Sequence, residues 1–587
     1  MTLRRVVRFV FTLIGAAVVV AFVGLLVLYA LVSRGPSVPD RATLVLRPSG
    51  TLEEVVPDDV LGQFVGRHAS TVRDIVESLR AARRDPRIRN VVLMPSALDQ
   101  PFWATLQEVR DAIIDFRTSG KSVTAFLEYG GEREYYLASA ANRVFLLPSS
   151  PLDLTGVASY EVFLRGALDT VGAYADFLHV GDYKTAVNTY TEKAMTPAHR
   201  EMSESLNRDM YDQLVRGVAT ARGKTEAEVR ALIDDGPFSP REALRRGLVD
   251  GLAYEDELDD RVPELREAGG QQRIEGTEYQ RASAPRPRFS SRSRIAVLYA
   301  VGTITSGKSG FDPVNGAVLG SDTMVEQIRR VRDDASVKAI VLRIDSPGGS
   351  TIASDVIWRE LMVTRDGNRA RPIIVSMSDL AASGGYYIAT PGDVIVAQPA
   401  TLTGSIGVFG GKFVVSGTLA KIGVGTETVR AGKNADINSP FSPFSPAQRD
   451  KLQDYMQGFY EDFVGKVAAS RRMSPERIRA LAQGRVWTGQ QAKANGLVDE
   501  LGGLTEAIAI ARQRAHIATG EDVEVVAYPA RRNFYEVLAE QIGGSRIGIW
   551  NLLAGRADGQ ALAAITAPAR LFRRGEPLAL MPFAFAR

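Results

Sequence analysis

The sequence YYIA at residues 386–389 repeats the sequence YYLA at residues 135–138 with one change, isoleucine for leucine. Continuing both copies without a gap places Pro399 opposite Pro148. A match that stays in register indicates an internal repeat, in which each copy is one structural unit. The sequence therefore predicts two copies of one fold in tandem.

Two further matches extend the repeat toward the end of each copy. TPA at residues 196–198 corresponds to SPA at 445–447, and each reads as a helix N-cap followed by proline at the first helical position. GLVD at residues 247–250 returns unchanged at 496–499. The order of the matched segments is the same in both halves.

Within each copy, short apolar runs alternate with segments of helical periodicity. Such alternation is typical of βαβ units and predicts an α/β fold with a largely parallel sheet. A stretch rich in proline, serine and arginine separates the copies and reads as a linker. The predicted organisation is a cytoplasmic tail (1–8), a transmembrane helix (9–32), a first repeat (40–280), a linker (281–294), a second repeat (295–530) and a C-terminal tail (531–587).

The N-terminus predicts a membrane anchor. Residues 9–32 carry no charge and are long enough to cross a bilayer as a helix. Arg4, Arg5 and Arg8 precede them, so the positive-inside rule leaves the N-terminus in the cytoplasm. A cleaved signal peptide is the alternative, but its apolar region is normally shorter and ends in small residues. In a bacterium, the expected location is the inner membrane with the body in the periplasm.

Composition excludes several classes of protein. A net charge of +3 over 587 residues gives no reason to expect nucleic-acid binding. The chain has no cysteine, which rules out disulfides and thiolate metal sites, and its four histidines make a multi-histidine site improbable. We therefore predict neither a metal nor a cofactor.

The two copies differ at positions that carry chemistry. Ser405 lies in a glycine-rich turn after an apolar run, and the ungapped match pairs it with Leu154. Gly348 and Gly349 also occur only in the second copy, where their backbone N–H groups could point at an oxyanion. Glycines around a serine occur in ordinary tight turns as well as beside nucleophiles, so this turn alone does not show whether Ser405 is catalytic.

Lysine is distributed the opposite way. Lys184 of the first copy is matched by Ala435 in the second. A single lysine is usually a solvated surface charge. A buried lysine with a lowered pKa, however, can act as the base for a serine nucleophile. A Ser-His-Asp enzyme is the weaker interpretation, because histidines are few and Thr403 replaces the first glycine of a G-x-S-x-G elbow.

Three motifs together resemble the family of signal peptide peptidase A in its long, membrane-anchored bacterial form. They are TGSIGV at 403–408, DSPGG at 345–349 and GDYK at 181–184, and the resemblance covers roughly residues 40–530. It implies a crotonase-like fold, related to the Clp proteases, in each half. It also implies a serine endopeptidase that degrades cleaved signal peptides, with Ser405 as nucleophile and Lys184 as base, in a homotetramer at the membrane.

Two alternatives remain at the level of sequence. The first is an inactive crotonase-like scaffold that holds peptides at the membrane without cutting them. The second is an acyl-CoA hydratase or hydrolase, since a fold does not fix a function. The predicted anchor and external body argue against coenzyme A, which is a cytoplasmic cofactor.

Overall fold

The computed structural model describes residues 37–55, 71–267, 272–283, 293–312, 316–368, 370–518, 520–529, 578–581 and 585–586, together with Gly24. The predicted anchor at 9–32 lies outside these ranges except for Gly24, as do most of the predicted tail at 531–587 and most of the linker. Across the described ranges, no helix combines the length and the hydropathy needed to cross a membrane.

The first copy alternates strands and helices in the predicted manner. Its strands are β1 (Ala42–Leu46), β2 (Ser49–Gly50), β3 (Ile88–Leu93), β4 (Ser96–Leu98), β5 (Ser122–Leu127), β6 (Arg143–Leu146), β7 (Ser159–Tyr160), β8 (Tyr174–Val180), β9 (Gly251–Leu252) and β10 (Arg273–Glu275). Its helices are α1 (Val72–Arg84), α2 (Ala104–Arg117), α3 (Glu132–Ala138), α4 (Arg165–Val171), α5 (Asn188–Thr191), α6 (Pro197–Arg222), α7 (Glu226–Asp235), α8 (Pro240–Arg245), α9 (Leu258–Arg261), α10 (Pro263–Glu267) and α11 (Gly276–Ser283).

The second copy repeats this order. Its strands are β11 (Arg294–Val301), β12 (Thr303–Thr305), β13 (Gly310–Asp312), β14 (Gly316–Gly320), β15 (Val337–Ser346), β16 (Gly348–Ser350), β17 (Ile373–Ala382), β18 (Val394–Ala397), β19 (Leu402–Gly404), β20 (Val408–Val414), β21 (Val486–Thr488), β22 (Glu500–Leu501) and β23 (Glu524–Tyr528), and the tail adds β24 (Leu578–Leu580) and β25 (Phe585–Ala586). Its helices are α12 (Ser321–Asp333), α13 (Thr351–Asp366), α14 (Gly384–Ala389), α15 (Ser416–Lys421), α16 (Pro446–Arg471), α17 (Pro475–Leu481), α18 (Gly489–Asn495) and α19 (Leu504–Arg514).

Each copy is built on its own sheet. In the first, six parallel strands run in the order β10-β1-β3-β5-β6-β9. In the second, the path β21-β19-β17-β15-β11-β23 carries β18 beside β17 and β22 beside β18, and only β21 is antiparallel. The corresponding strands are therefore joined in the same way, and the chain is a tandem α/β repeat.

The long helices α6 and α16 begin at the predicted caps. The Thr196 side chain accepts a hydrogen bond from the backbone N–H of His199, and proline occupies the first turn of the helix. Ser445 does the same for the backbone N–H of Gln448, again with proline in the first turn. A capping hydroxyl satisfies one of the N–H groups that a helix start leaves unpaired, so both predicted caps are confirmed.

The predicted linker differs at both ends from the structure. Residues 281–283 form the last turn of α11, where Ser283 Oγ donates to the carbonyl oxygen of Tyr279 at 2.7 Å. At the other end, Arg294 already belongs to β11 and pairs with Val337 and Glu524. A composition rich in serine and arginine marked the linker but could not fix its ends, because both residues also serve at helix and strand ends.

A third sheet joins the copies and positions the site. Its order is β13-β14-β12-β16-β24-β20-β8, so it combines strands of the second copy with β8 of the first copy and β24 of the tail. The strands β8 and β20 pair antiparallel from Tyr174 opposite Val414 to Val180 opposite Val408. Because antiparallel register brings the end of one strand to the start of the other, the loop after β8 meets the turn before β20.

A buried arginine also ties the copies together. Arg343 on β15 is 1% exposed; its Nε donates to Glu54 at 2.9 Å and its Nη2 to Glu108 at 2.7 Å. Its Nη1 donates to Ser376 Oγ at 2.8 Å. Both glutamates come from the first copy and are themselves buried. The guanidinium is thus the counter-ion of two carboxylates that are buried at the interface between the two copies.

We expect Arg343→Met to destabilise the folded protein by about 3–5 kcal/mol, because it leaves Glu54 and Glu108 buried without a counter-ion. The free energy of unfolding in urea, measured for the wild type and the variant, checks this. The matched control is Arg329→Met, which removes an arginine whose side chain is 59% exposed beside Glu360. An unfolding midpoint as high for Arg343→Met as for this control would contradict the expectation.

Candidate active site

Lys184 lies in the loop after β8, at the interface between the two copies. The second copy fixes this loop: Tyr183 N donates to the carbonyl oxygen of Gln483 at 2.9 Å, and the backbone of Lys184 packs against Gly484. A Cβ built on Gly484 would lie 2.5 Å from Lys184 Cα, and its φ of +81° is one that glycine adopts readily. The loop is therefore held against the second copy, and the side chain of Lys184 is buried inside the protein.

The Lys184 amine is fully buried and contacts two serines. Its Nζ lies 2.8 Å from Ser383 Oγ and 3.0 Å from Ser405 Oγ, and it donates to the backbone carbonyl of Ser405 at 3.1 Å. Its exposure is 0%. Burial lowers the pKa of Lys184 well below its ordinary value, because the charged ammonium loses its hydration. A neutral amine has a lone pair that can accept a proton, which is what a general base requires.

Burial of this amine has a cost in stability, and we expect Lys184→Met to stabilise the protein at pH 7. The folded pKa is lowered, so as pH falls from about 10.5 the unfolded chain takes up a proton that the folded chain does not. The wild type thereby loses stability toward low pH, and Met removes that loss. We expect a gain on the order of 1 kcal/mol at pH 7 that shrinks toward pH 10.5 in urea titrations. A variant less stable than the wild type at pH 7 would show that the contacts of the amine outweigh its desolvation.

Ser383 occupies a sharp turn between the end of β17 and the start of α14. Its φ of +56° and ψ of −114° lie outside the regions that residues with a side chain ordinarily adopt. Such strain persists where the surrounding structure enforces it, and it collects at functional sites. Its N–H donates to the carbonyl oxygen of Gly404 at 2.8 Å, which holds the turn. A serine on a strained strand-to-helix turn is the arrangement of a nucleophile elbow.

Ser405 approaches the same amine from the turn between β19 and β20. It has a φ of +51°, is fully buried, and donates its N–H to the carbonyl oxygen of Arg485 at 2.7 Å. It contacts Lys184 through both its hydroxyl and its carbonyl oxygen. Two contacts from one residue fix the position of the Lys184 amine.

Of the predicted oxyanion glycines, Gly348 lies beside the Ser383 turn. It has a φ of +97°, and a Cβ built on it would lie 2.6 Å from the backbone nitrogen of Gly384, the residue after Ser383. Gly349 is one residue farther along β16 and pairs with Ile304 of β12. A backbone N–H of the residue after a nucleophile is a common oxyanion donor. The structure therefore brings Gly348 and Gly384 to the same turn.

The sequence prediction did not include Ser383 or Gly384. The signal was available, because the ungapped match that pairs Ser405 with Leu154 also pairs Ser383 with Glu132. In the first copy, Glu132 accepts hydrogen bonds from the N–H groups of Thr155 and Gly156, and burial raises its pKa to about 7. The first copy thus has neither serine at its corresponding turns.

Lys184 likewise has no counterpart at the matched turn of the second copy. Ala435 is exposed there, on the surface rather than beside a serine. Each copy therefore supplies what the other lacks, and all three groups meet within one chain.

Comparison with known proteins relates both copies to one family of peptidases. The profile of Peptidase family S49 matches residues 115–269 and 365–518. A chloroplastic serine protease SPPA of Arabidopsis thaliana is 33% identical over 513 residues, which cover 86% of this chain and 75% of that protein. Protease 4 of Salmonella typhi is 37% identical over 459 residues, covering 76% of this chain and 72% of the relative.

Other matches extend over different shares of the chain. Protease 4 of Haemophilus influenzae is 30% identical over 537 residues, covering 87% of this chain and 85% of that protein. Among solved structures, an S97A mutant of the 1510-N membrane-bound stomatin-specific protease matches with a TM-score of 0.26 and 16% identity, covering 41% of this chain and 99% of that one.

Proposed function

The chain belongs to peptidase family S49 and is a serine peptidase, and from that premise we propose that its reaction uses Ser383 as nucleophile and Lys184 as general base. The resemblance to signal peptide peptidase A that the motifs predicted is confirmed by these relatives. The observation that carries the proposal is the buried Lys184 amine, 2.8 Å from a hydroxyl on a strained strand-to-helix turn. Ser405 as the nucleophile stays a prediction of the sequence, and the geometry favours Ser383.

In the proposed reaction, neutral Lys184 accepts the proton of the Ser383 hydroxyl as Oγ attacks the carbonyl carbon of the scissile peptide bond. The backbone N–H group of Gly384 stabilises the oxyanion that forms, and the N–H of Gly348, which donates to Ser346 Oγ at 3.2 Å, is the second candidate donor. The ammonium of Lys184 then gives its proton to the leaving amine, and an acyl-enzyme remains on Ser383. Water, deprotonated by the same lysine, releases the acyl group and restores the serine.

Ser405 supports these steps without taking part in bond formation. Its carbonyl oxygen accepts one N–H of the amine, which leaves the lone pair of Nζ free to face Ser383. Fixing the amine in this way reduces the rearrangement needed when the proton moves.

The remaining parts of the proposal follow the resemblance of the motifs. We propose that residues 9–32 anchor the protein in the lipid of a bacterial inner membrane, with the catalytic body in the periplasm. The substrates are then peptides, and signal peptides left in the membrane after cleavage are the expected class. A crotonase-like fold of each half and a homotetramer belong to the same proposal.

Labelling with a fluorophosphonate, followed by mass spectrometry of the digested protein, tests the assignment in the full chain. We expect the label on the peptide that contains Ser383, with loss of peptide hydrolysis in proportion to labelling. A label on Ser405 would instead support the sequence prediction. Absence of both labelling and hydrolysis would favour the inactive scaffold.

A further inference from the structure

The two strands that lead into the candidate active site, β15 and β17, shift their register just before it. The shift falls between Ile344 and Ser346, where residues 378–380 of β17 oppose Asp345 alone. Such a bulge bends a strand and re-aims its side chains, and bulges are frequent next to active sites. From this bulge β15 continues to the candidate oxyanion glycines, and β17 continues to Ser383.

Asp345 bridges the two strands at the bulge. Its carboxylate accepts the backbone N–H of Leu380 at 3.0 Å, so a side chain connects β15 and β17 where the register shifts. Asp345 is also the first residue of the DSPGG motif, and the corresponding stretch of the first copy, MPSA at residues 94–97, has no carboxylate. The proposed reaction does not use this carboxyl group.

Asp379, the second carboxyl of the bulge, is 3% exposed and contacts the first copy. Its Oδ1 accepts the backbone N–H of Thr105 at 2.9 Å, and its Oδ2 accepts the Thr105 hydroxyl at 3.0 Å. Gln100 Nε2 donates to the same Oδ2 at 2.5 Å. The amide of Gln100 is fixed in this direction, because its carbonyl oxygen accepts the N–H of Leu52 at 2.9 Å. Three donors meet Asp379, and an ionised carboxylate satisfies all of them.

The same carboxylate caps α2 from the other copy. Trp103 stands at the N-cap of α2 and gives the helix no side-chain hydrogen bond, whereas Asp379 accepts an N–H of its first turn. A negative charge at this end also complements the helix dipole. The residue of the first copy that the ungapped match pairs with Asp379 is Glu128, which is exposed. The strand that carries Ser383 is therefore fixed to α2 by a contact that the first copy does not repeat.

The charges around the bulge allow one proton on the two carboxyls. Glu54 acts on both of them, and Arg343, which acts on Asp345, already pairs with Glu54 and Glu108. Loss of hydration raises the pKa of Asp379 to about 6. Loss of hydration and the negative charge of Asp379 raise the pKa of Asp345 well above its ordinary value. Because donors surround Asp379, the negative charge belongs there and the proton on Asp345.

We propose that Asp379 is a positioning residue for Ser383, which as an anion holds the end of β17 against α2 of the first copy while Asp345 beside it carries a proton. The proposal rests on the proposed function of Ser383 and adds a condition to it. A proton on Asp379 would set an O–H group against three donors and weaken the contact. Acid therefore lowers the activity through this contact as well as through protonation of Lys184.

Kinetics of the full chain at about pH 8 compare Asp379→Asn with the matched control Glu128→Gln. We expect Asp379→Asn to lower kcat for a short peptide by about 100-fold with KM unchanged, because a displaced nucleophile slows the chemistry and not the binding. Glu128→Gln keeps both constants. An undiminished kcat in Asp379→Asn would overturn the proposal.

Two variants of Asp345 test where the proton lies. Asp345→Ala is expected to lose as much activity as Asp379→Asn. Asp345→Asn is expected to restore kcat to within about threefold of the wild type, because an amide keeps an acceptor for Leu380 N and a donor in place of the acid proton. Equal losses in the two asparagine variants would overturn the assignment of the charge to Asp379.

The pH dependence of kcat/KM separates positioning by an anion from a merely structural contact. In the wild type, Asp379 and the ammonium of Lys184 must both lose a proton, so the acid limb is steeper than one proton allows, whereas in Asp379→Asn it has the slope of one proton. Thr105→Val removes a bond that favours the anion, and we expect it to move the break near pH 6 upward by about one unit. A limb as steep in Asp379→Asn as in the wild type, or an unmoved break in Thr105→Val, counts against the proposal and overturns it.

Unfolding in urea tests the titration of Asp379 without a substrate. Its folded pKa of about 6 exceeds the ~3.9 of an unfolded aspartate, so its contribution to stability is present below about pH 4 and is lost as pH rises through 6. The unfolding midpoint of the wild type, relative to that of Asp379→Asn, is therefore expected to fall between these pH values. A constant difference between the two midpoints would overturn the proposal. A wild type that shows this titration but hydrolyses no peptide would overturn the proposed function alone.

Discussion

A full-length chain with Ser383→Ala is expected to lose peptidase activity by a factor on the order of 10⁶, the loss seen when a serine hydrolase loses its nucleophile. The physical reason is that, among the residues that the structure describes, no other hydroxyl combines the strained strand-to-helix turn with a 2.8 Å contact to Lys184 Nζ. Peptide hydrolysis and fluorophosphonate labelling measure the loss. The fold should be retained, because the change removes one oxygen atom from a site where glycines already allow close packing.

The matched comparison is Ser405→Ala, for which we expect a loss of about 10–100-fold. This variant keeps the carbonyl oxygen that holds the amine and removes only the second hydroxyl. The two variants therefore rank the serines directly. If Ser405→Ala had no activity while Ser383→Ala kept more than about a hundredth of the turnover, the sequence prediction of Ser405 as nucleophile would be right. Our assignment of Ser383 would then be wrong.

Lys184→Arg is expected to abolish activity as completely, by at least about 10⁴-fold, although arginine is also a basic residue. A guanidinium stays protonated at any working pH and cannot act as a base. In the wild type, hydrolysis should rise with pH as the ammonium loses its proton, with a midpoint well below the ordinary pKa of lysine, because burial lowers the pKa of Lys184. The pH dependence of kcat/KM measures this limb.

The control for the lysine is Lys433→Ala. Lys433 lies on the matched turn of the second copy, exposed and two residues from Ala435. We expect its loss to leave hydrolysis unchanged, because it is a solvated charge. An active Lys184→Arg enzyme would remove lysine from the mechanism.

Much of this architecture was predictable because the chain contains its own comparison. Matching the copies identified the repeat, the helix caps and Lys184, since a lysine lost at one matched turn stands out against the other. Ser383 was missed because its neighbours Ala381, Ala382 and Gly384 carry no chemistry that sets this serine apart from others in the chain. The φ of +56° at Ser383 is a property of the folded backbone, and the amino-acid composition around the serine does not indicate it.

The pairings between distant segments could not be predicted either. The strand β8 pairs with β20, and β24 pairs with Gly348 and Gly349, although long stretches of sequence separate the partners. Register between such strands depends on burial and on the shape of both edges. Nothing in the tail's arginine-rich, apolar composition indicates which edge it will meet.

The pairing of β8 with β20 has a consequence for the time at which the enzyme becomes active. Lys184 and Ser383 are 199 residues apart in the chain. At a synthesis rate of about 5–20 residues per second, the serine emerges from the ribosome roughly 10–40 s after the lysine. During that interval the first copy carries the amine of Lys184 without the hydroxyl of Ser383. The division of the site between the copies thus delays its assembly until the chain has been made at least through β20.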